Sequence, residues 1–333
     1  RITQNRIISL FKKTLKYNYL GNWEHRENSN IEEDLLKNYL KKSGYSEILI
    51  NKTLYELNKT AGHQGKSIYD INREVYSMLR YGVKVKEDIG ENTQTVWLIN
   101  WKEPLKNDFS VAEEVTVKGV HNKRPDIVIY VNGIALAVLE LKRSTVSVLE
   151  GIRQNLDNQK HIFIKNFFST IQFITAGNDT EGLRYGTIET PEKYYLSWKE
   201  VSEESKDSYL LEITRPIREI ADRTKYLLDK NVIHLFYKER FLELIHDFVV
   251  YDRGIKKLCR HNQYFGVKAS ADYIKRREGG IIWHTQGSGK SLTMVWLTKW
   301  IRENIPHARV LIITDRDELD RQIEKVYKGI EEN

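Results

Sequence analysis

Apolar positions repeat with two different periods along this chain, and the period changes where the residue chemistry changes. Ile7, Ile8, Phe11 and Leu15 recur at helical spacing, and Ile31, Leu35, Leu36 and Leu40 share a second helical face. Around that second face Asn30 reads as an N-cap, Glu32, Glu33 and Asp34 fill the first turn and Gly44 is a stop, so the pattern predicts a helix over 31–40. Residues 54–57 and 71–79 keep the helical spacing. From Val83 onward the runs at 95–100, 109–117, 126–131, 134–141 and 170–175 are β-branched and aromatic, broken by Asn and Gly, and predict strands. A helix over 148–159 separates the last two. The polar stretch 200–208 reads as a loop, followed by long helices over 213–229 and 235–249. The chain then predicts a strand at 280–284, a Gly-rich loop, a helix over 291–301 and a strand at 310–314. No internal repeat is visible. The order predicts one α/β unit up to about Asp229 and the opening of a second near Leu258.

Composition narrows the class. Of 333 residues 40% are apolar and 30% charged, enough to bury a sizeable core and too apolar for general disorder. Five prolines and ordinary glycine exclude collagen-like and low-complexity chains. The longest apolar run, Ile134 to Leu139, is far short of the ~20 residues of a membrane span, so no membrane is expected. Residues 1–23 carry no acid, a feature shared with targeting peptides, but their broken apolar spacing suits an amphipathic helix. A single cysteine, Cys259, can form neither an internal disulfide nor a Cys-rich zinc site and points to a reducing, cytoplasmic compartment. Lys and Arg number 53 against 46 Asp and Glu; the net +7 permits a polyanionic partner.

The most informative stretch is RPDIVIYVNGIALAVLELKRS at 124–144. Two apolar strands meet at Asn132-Gly133, and only Asp126, Glu140 and Lys142 interrupt them, at the far ends. Glu140 and Lys142 are two apart on a strand and share a face. Whether Asp126 joins them depends on the turn. A two-residue turn pairs Val131 with Ile134 and puts Asp126 on the wrong face. A three-residue loop, 131–133, pairs Tyr130 with Ile134, carries Gly133 at positive φ and puts Asp126 opposite Val138, on the face of Glu140 and Lys142; that loop is the expectation here. Two carboxylates and a lysine on one face suit phosphodiester hydrolysis. Carboxylate oxygens are hard ligands for Mg²⁺, the metal polarises phosphate and activates water, and the lysine serves the water or the developing charge. Strand-end charges reaching solvent are the plainer alternative. Both faces of the hairpin are apolar, however, which predicts a covered central position where charge is costly unless paired or metal-bound.

Pro125-Asp126 followed by Glu140-Leu141-Lys142 resembles the PD-(D/E)xK nuclease motif. The resemblance implies that Asp126 and Glu140 bind the nuclease metal and Lys142 serves the attacking water. Restriction-type relatives add a Q-x-x-x-Y element on the next helix; Gln154 stands at its Gln, a DNA-positioning candidate, and Asn158 replaces its Tyr. An acid from the first helix often completes such sites, with Glu33 the candidate and Glu32 an ordinary helix-start charge.

A second constellation lies at 280–291, GGIIWHTQGSGKS. Thr285, Gln286, Gly287, Ser288, Gly289, Lys290 and Ser291 form a phosphate-binding loop in which backbone N–H groups cradle phosphates, Lys290 reaches the β/γ-phosphates and Ser291 coordinates the Mg²⁺ of ATP. His284 stands where the strict pattern has Gly. Gly65-Lys66-Ser67 is also a GKS tripeptide, but it follows a helical pattern and reads as a polar loop. Asp315, Asp317 and Asp320 after the last strand look like a Walker B run one crossover too early, and suit helix capping or a nucleic-acid-facing strand end.

WHTQGSGKSLTM at 283–294, HNQYFGV at 261–267 and LIITDRDELDRQ at 311–322 resemble superfamily 2 helicases, and with the nuclease hairpin and NDTEGLRYGT at 178–187 they most resemble the restriction (R, motor and nuclease) subunit of type I restriction–modification enzymes. That resemblance implies an N-terminal PD-(D/E)xK endonuclease domain with a central mixed sheet flanked by helices over 1–229, a helical connection over 230–257, and the incomplete start of a RecA-like translocase domain over 258–333. It also implies Gln263 as an adenine-reading residue, Mg²⁺ and ATP as cofactors, double-stranded DNA as substrate, and specificity and methyltransferase subunits as partners. No Walker B, arginine finger or second RecA-like lobe is legible, so this stretch is expected to be a fragment that binds ATP weakly without turning it over. A different helicase–nuclease of repair or phage defence, and a DNA-binding module with a decayed nuclease site, are the alternatives.

Overall fold

The computed structural model describes residues 1–314 together with 317, 321, 323, 324 and 327. Helix α1 (Ile2–Ser9) runs into a π-helical turn (Leu10–Thr14), and Ile7, Ile8, Phe11 and Leu15 are buried as one stripe. Strand β1 (Asn18–Asn22) follows, then α2 (Glu33–Lys42), α3 (Glu47–Ala61) and α4 (Ile68–Tyr81), and a small hairpin of β2 (Val83–Val85) and β3 (Gln94–Val96). Strands β4 (Phe109–Glu113), β5 (Ile127–Val131) and β6 (Ile134–Leu141) form an antiparallel meander. Helix α5 (Val148–Asn158) crosses over to β7 (Phe173–Asn178), parallel to β6, and β8 (Gly182–Gly186) and β9 (Leu196–Ser197) complete a seven-stranded mixed sheet of order β1-β4-β5-β6-β7-β8-β9.

Alternation along the central strands divides the core in two. Ile127, Ile129, Val131 and Leu139 face a large cluster shared with α1 to α4, while Val128, Tyr130, Val138 and Ile174 face a smaller one closed by Val148 and Ile152 of α5. Beyond the sheet come α6 (Ser208–Ala221), α7 (Leu227–Phe236), α8 (Lys238–Asp247), the hairpin β10 (Val249–Asp252) and β11 (Ile255–Leu258), α9 (His261–Lys275) and α10 (Lys290–Asn304).

The turn between β5 and β6 differs from the expected three-residue loop. Asn132 (φ 53°) and Gly133 (φ 83°) are both left-handed, a two-residue turn that pairs Val131 with Ile134. The shared face is restored further on by a different register: Tyr130 pairs with Ala135 and Ile129 with Ala137, so Leu136 of β6 is the extra residue of a β-bulge and Asp126 falls across from Glu140, not Val138. Asn132 locks the turn by donating to the Leu98 carbonyl and Asn107 Oδ1, and α2 lies so close that a Cβ on Gly133 would sit 2.7 Å from the Glu32 carbonyl oxygen.

Other departures have local causes. Helix α2 starts after Glu32, because Asn30 turns its side chain to Ser169 and the Asn166 carbonyl instead of capping. The stretch 213–229 is divided between α6 and α7 by a turn after Asp222. The stretch 235–249 breaks at Tyr237, and 249–258 forms a hairpin in place of a helix end. No strand forms at 280–284 or 310–314. A parallel strand needs neighbours for its ladder, and among the described residues these runs have none, so Ile281, Trp283, Leu311 and Ile313 are exposed.

Candidate active site

Ile127 pairs with Leu139, which places Asp126 across from Glu140 at the end of the β5–β6 ladder. Asp126 Oδ2 accepts from the Leu141 backbone N–H (2.7 Å). Lys142 Nζ donates to Glu140 Oε1 (2.9 Å) and to Gln154 Oε1 of α5 (2.5 Å). The bulge at Leu136 thus brings Asp126, Glu140 and Lys142 to one face, the face that α5 covers, and Gln154 joins them. Glu33 does not. Its carboxylate is taken by Lys37 and Asn58 at the surface, while Glu32 pairs with Arg26.

Electrostatics at this face are set by burial. Glu140 is 2% exposed, and desolvation, reinforced by the Asp126 charge and opposed by Lys142, pushes its carboxyl up to about 8. Asp126 is also raised, again chiefly by desolvation, with the Leu141 N–H and Lys142 holding it back. Glu140 Oε2 is buried without a hydrogen-bond partner. An orphaned carboxylate oxygen beside a second carboxylate fits a hard divalent cation. Among the described residues no group of three or more His, Cys, Asp or Glu side chains is placed to hold a metal. Asp126 and Glu140 are the two carboxylates this face offers to such an ion.

The supporting residues carried little sequence signal. Gly151 is the exception, since an isolated glycine in a helical run often marks close approach. A Cβ there would lie 3.0 Å from Ala176 Cβ, 3.4 Å from Glu140 Cγ and 3.5 Å from Lys142 Cε, so α5 rests directly on the site. The loop 143–147 is anchored by Asn178, which donates to the Val146 carbonyl, and by Glu181, which accepts from the Val148 N–H. Glu114, at φ 52°, donates its backbone N–H to the Asp126 carbonyl and is held by Gln4 and Arg124. Asn158, where the related motif has Tyr, is buried with both amide atoms unpartnered.

The phosphate-loop residues form a second, separate feature. Gly287 (φ 75°) and Gly289 (φ 86°) are left-handed, and α10 starts at Lys290 with Ser291 in its first turn. Lys290 Nζ donates to the carbonyls of His284 (3.3 Å) and Thr285 (3.2 Å), and Ser288 Oγ to that of Thr285 (2.7 Å), so the loop folds around its own lysine. Thr285 and Gln286 are exposed. Gln263 sits against this loop, but both ends of its amide are engaged: Nε2 donates to the Gly289 carbonyl and Oε1 accepts from the Arg260 N–H. Here it braces the loop. Asp315 and Asp320 lie outside the described residues, and Asp317 is exposed.

The family model for the type I restriction enzyme R protein N terminus matches residues 1–193, and the one for the SWI2/SNF2 ATPase matches residues 262–333. The first covers more than half of the chain, and the chain belongs to that family. Among curated relatives, the putative type I restriction enzyme MjaIXP endonuclease subunit of Methanocaldococcus jannaschii is 26% identical over 333 residues, 92% of this chain and 32% of the relative. The type I restriction enzyme HindI endonuclease subunit of Haemophilus influenzae is 26% identical over 78% of this chain and 25% of its own length. The putative MjaVIIP endonuclease subunit of M. jannaschii is 29% identical over 76% of this chain and 24% of its own length. The chain thus spans a quarter to a third of the relatives it matches. No helix among the described residues is long and apolar enough to cross a membrane.

Proposed function

We propose that this chain carries the endonuclease site and the start of the motor of a type I restriction enzyme, and that Asp126, Glu140 and Lys142 cut double-stranded DNA with Mg²⁺. The division is the one read in the sequence: a PD-(D/E)xK nuclease unit over 1–229, a connection over 230–257 and the opening of a RecA-like translocase over 258–333. The observation that carries this reading is the buried Glu140 Oε2, unpartnered beside Asp126 and within one carboxylate of the Lys142 ammonium.

Asp126 and Glu140 would hold the ion through their free oxygens. Bound Mg²⁺ supplies Lewis-acid polarisation of the phosphodiester and acidifies a water. Lys142, clamped between Glu140 and Gln154, presents a fixed positive charge where negative charge builds on the phosphate, and its cost of ordering is met before DNA arrives. Gln154, on a helix packed through Gly151, sets the position of that ammonium. In the motor unit, Thr285 to Ser291 would bind ATP, with Lys290 leaving its own loop carbonyls for the phosphates and Ser291 on the nucleotide's Mg²⁺. The specificity and methyltransferase subunits are the proposed partners, supplying target choice that nothing in this site reads.

The test is DNA cleavage by the full-length protein assembled with those subunits, with ATP present and Mg²⁺ titrated. Cleavage should rise with Mg²⁺, stop with chelator, and fall at least ~100-fold in Asp126→Asn with ATP hydrolysis retained. Undiminished cleavage by Asp126→Asn would overturn the assignment.

A further inference from the structure

We propose that Arg80 is a positioning residue that keeps the P-loop helix and the nuclease sheet in register, with α4 as the rod both are fastened to. The inference rests on the nuclease–motor reading above and goes beyond it by naming where the two halves are joined.

Arg80 lies in the last turn of α4 with its side chain only 2% exposed. Its guanidinium pairs with Glu303 in the last turn of α10 and donates to the His246 carbonyl at the end of α8, and its Nε reaches Tyr81 Oη (3.1 Å). A buried guanidinium is costly unless its donors are satisfied, so the end of α10 is held by a demanding partner. The beginning of α10 is Lys290, the residue proposed to meet the phosphates.

Two turns earlier on the same helix, Asn72 is fully buried. Its Nδ2 donates to the carbonyls of Phe168 (3.0 Å), Ser169 (3.0 Å) and Ile171 (2.9 Å), the segment that leads into β7. Strand β7 pairs with β6, Ala176 opposite Glu140. Asn72 Oδ1 accepts from Tyr251 Oη (2.6 Å) and from Lys256 Nζ (2.8 Å) of the β10–β11 hairpin. Lys256 is 3% exposed, and its other contacts are Gln172 Oε1 and the rings of Tyr76 and Tyr251. That hairpin runs straight into α9, whose Gln263 holds the Gly289 carbonyl at the front of the P-loop.

Both ends of the nucleotide-binding element therefore return to α4, one through Glu303 to Arg80 and the other through the hairpin to Asn72. The two anchor points are eight residues apart on one helix, roughly 12 Å at 1.5 Å per residue. A shift of α10 on its phosphate ligand would load Arg80, and α4 would pass the load to the strand beside Glu140. Packed elements with discrete arrangements transmit such shifts better than flexible ones.

The experiment uses the full-length protein with its partner subunits, Mg²⁺ and ATP. Arg80→Met, Glu303→Gln and the conservative Arg80→Lys are compared for ATP kcat, ATP KM, DNA breaks per ATP hydrolysed, and Tm. Glu303 is the milder site, since its side chain is 36% exposed and the variant should fold if Arg80→Met does not. Expected is a loss of at least about fivefold in breaks per ATP for Glu303→Gln, with ATP kcat within about twofold and partial recovery in Arg80→Lys. Breaks per ATP at the wild-type value in Glu303→Gln, or cleavage and ATP turnover falling in equal proportion, would overturn the inference. A wild-type assembly that hydrolyses ATP and never cuts would instead defeat the underlying reading.

Discussion

Glu140 combines burial with a need for charge, and the two pull its proton in opposite directions. Its carboxyl is raised to about 8 by burial and by Asp126, so without metal the folded protein keeps a proton that the unfolded chain has already released. The unfolded state then binds fewer protons, and stability falls as pH rises from the ordinary Glu value of about 4.5 toward 8. Melting of the metal-free protein across that window should show this decline, and Glu140→Gln should flatten it; equal slopes for both would mean the carboxyl is solvated. The residue identities were legible because an acid, an acid and a lysine punctuate two otherwise apolar strands. Their supports were not. Asn178, Glu181 and Gln4 act through contacts distant in sequence, such as the 109 residues between Gln4 and Glu113, and no local pattern encodes those.

At the scale of elements, the β5–β6 hairpin shows how a sound expectation can be reached by a different route. The shared face of Asp126 and Glu140 comes from a bulge at Leu136, not from the turn. The loop would put the extra residue in β5 and the bulge puts it in β6; either flips the face, and sequence separates them poorly because Leu136 and Ala137 are each apolar. Strand β6 was readable to its ends because its first six residues are all apolar, whereas the gap expected between 229 and 235 falls inside α7, which ends at Tyr237 without Gly or Pro. The contact of α5 with this hairpin gives a sharp prediction. In Gly151→Ala the new methyl meets Ala176 Cβ at 3.0 Å and pushes the helix away from Glu140 and Lys142. Overpacking of this kind costs about 1–3 kcal/mol, and a displacement near 1 Å at a catalytic lysine can cost ~100-fold in rate. The variant should therefore cut at least ~10-fold more slowly while remaining folded by circular dichroism; wild-type cleavage would show that α5 does not set the lysine.

Across the whole molecule the sheet, the helical connection and the P-loop helix share one buried cluster that runs from Ile7 through Phe236 to Trp296. The proposed phosphate loop therefore stands on the core of one sheet face, and the proposed nuclease site lies on the other, the face that α5 covers. If the chemistry is divided as proposed, the two sites can be silenced separately and the losses will not be symmetrical. Lys290→Ala removes positive charge from the phosphates of ATP. In the complete assembly it should stop both ATP turnover and cleavage, because cutting waits on the motor. Glu140→Gln should stop cleavage alone. The decisive measurement follows ATP hydrolysis and DNA breaks in the same sample of the assembled Glu140→Gln protein. The account predicts wild-type ATP turnover with breaks reduced at least ~100-fold. Cleavage persisting at the wild-type rate would contradict it.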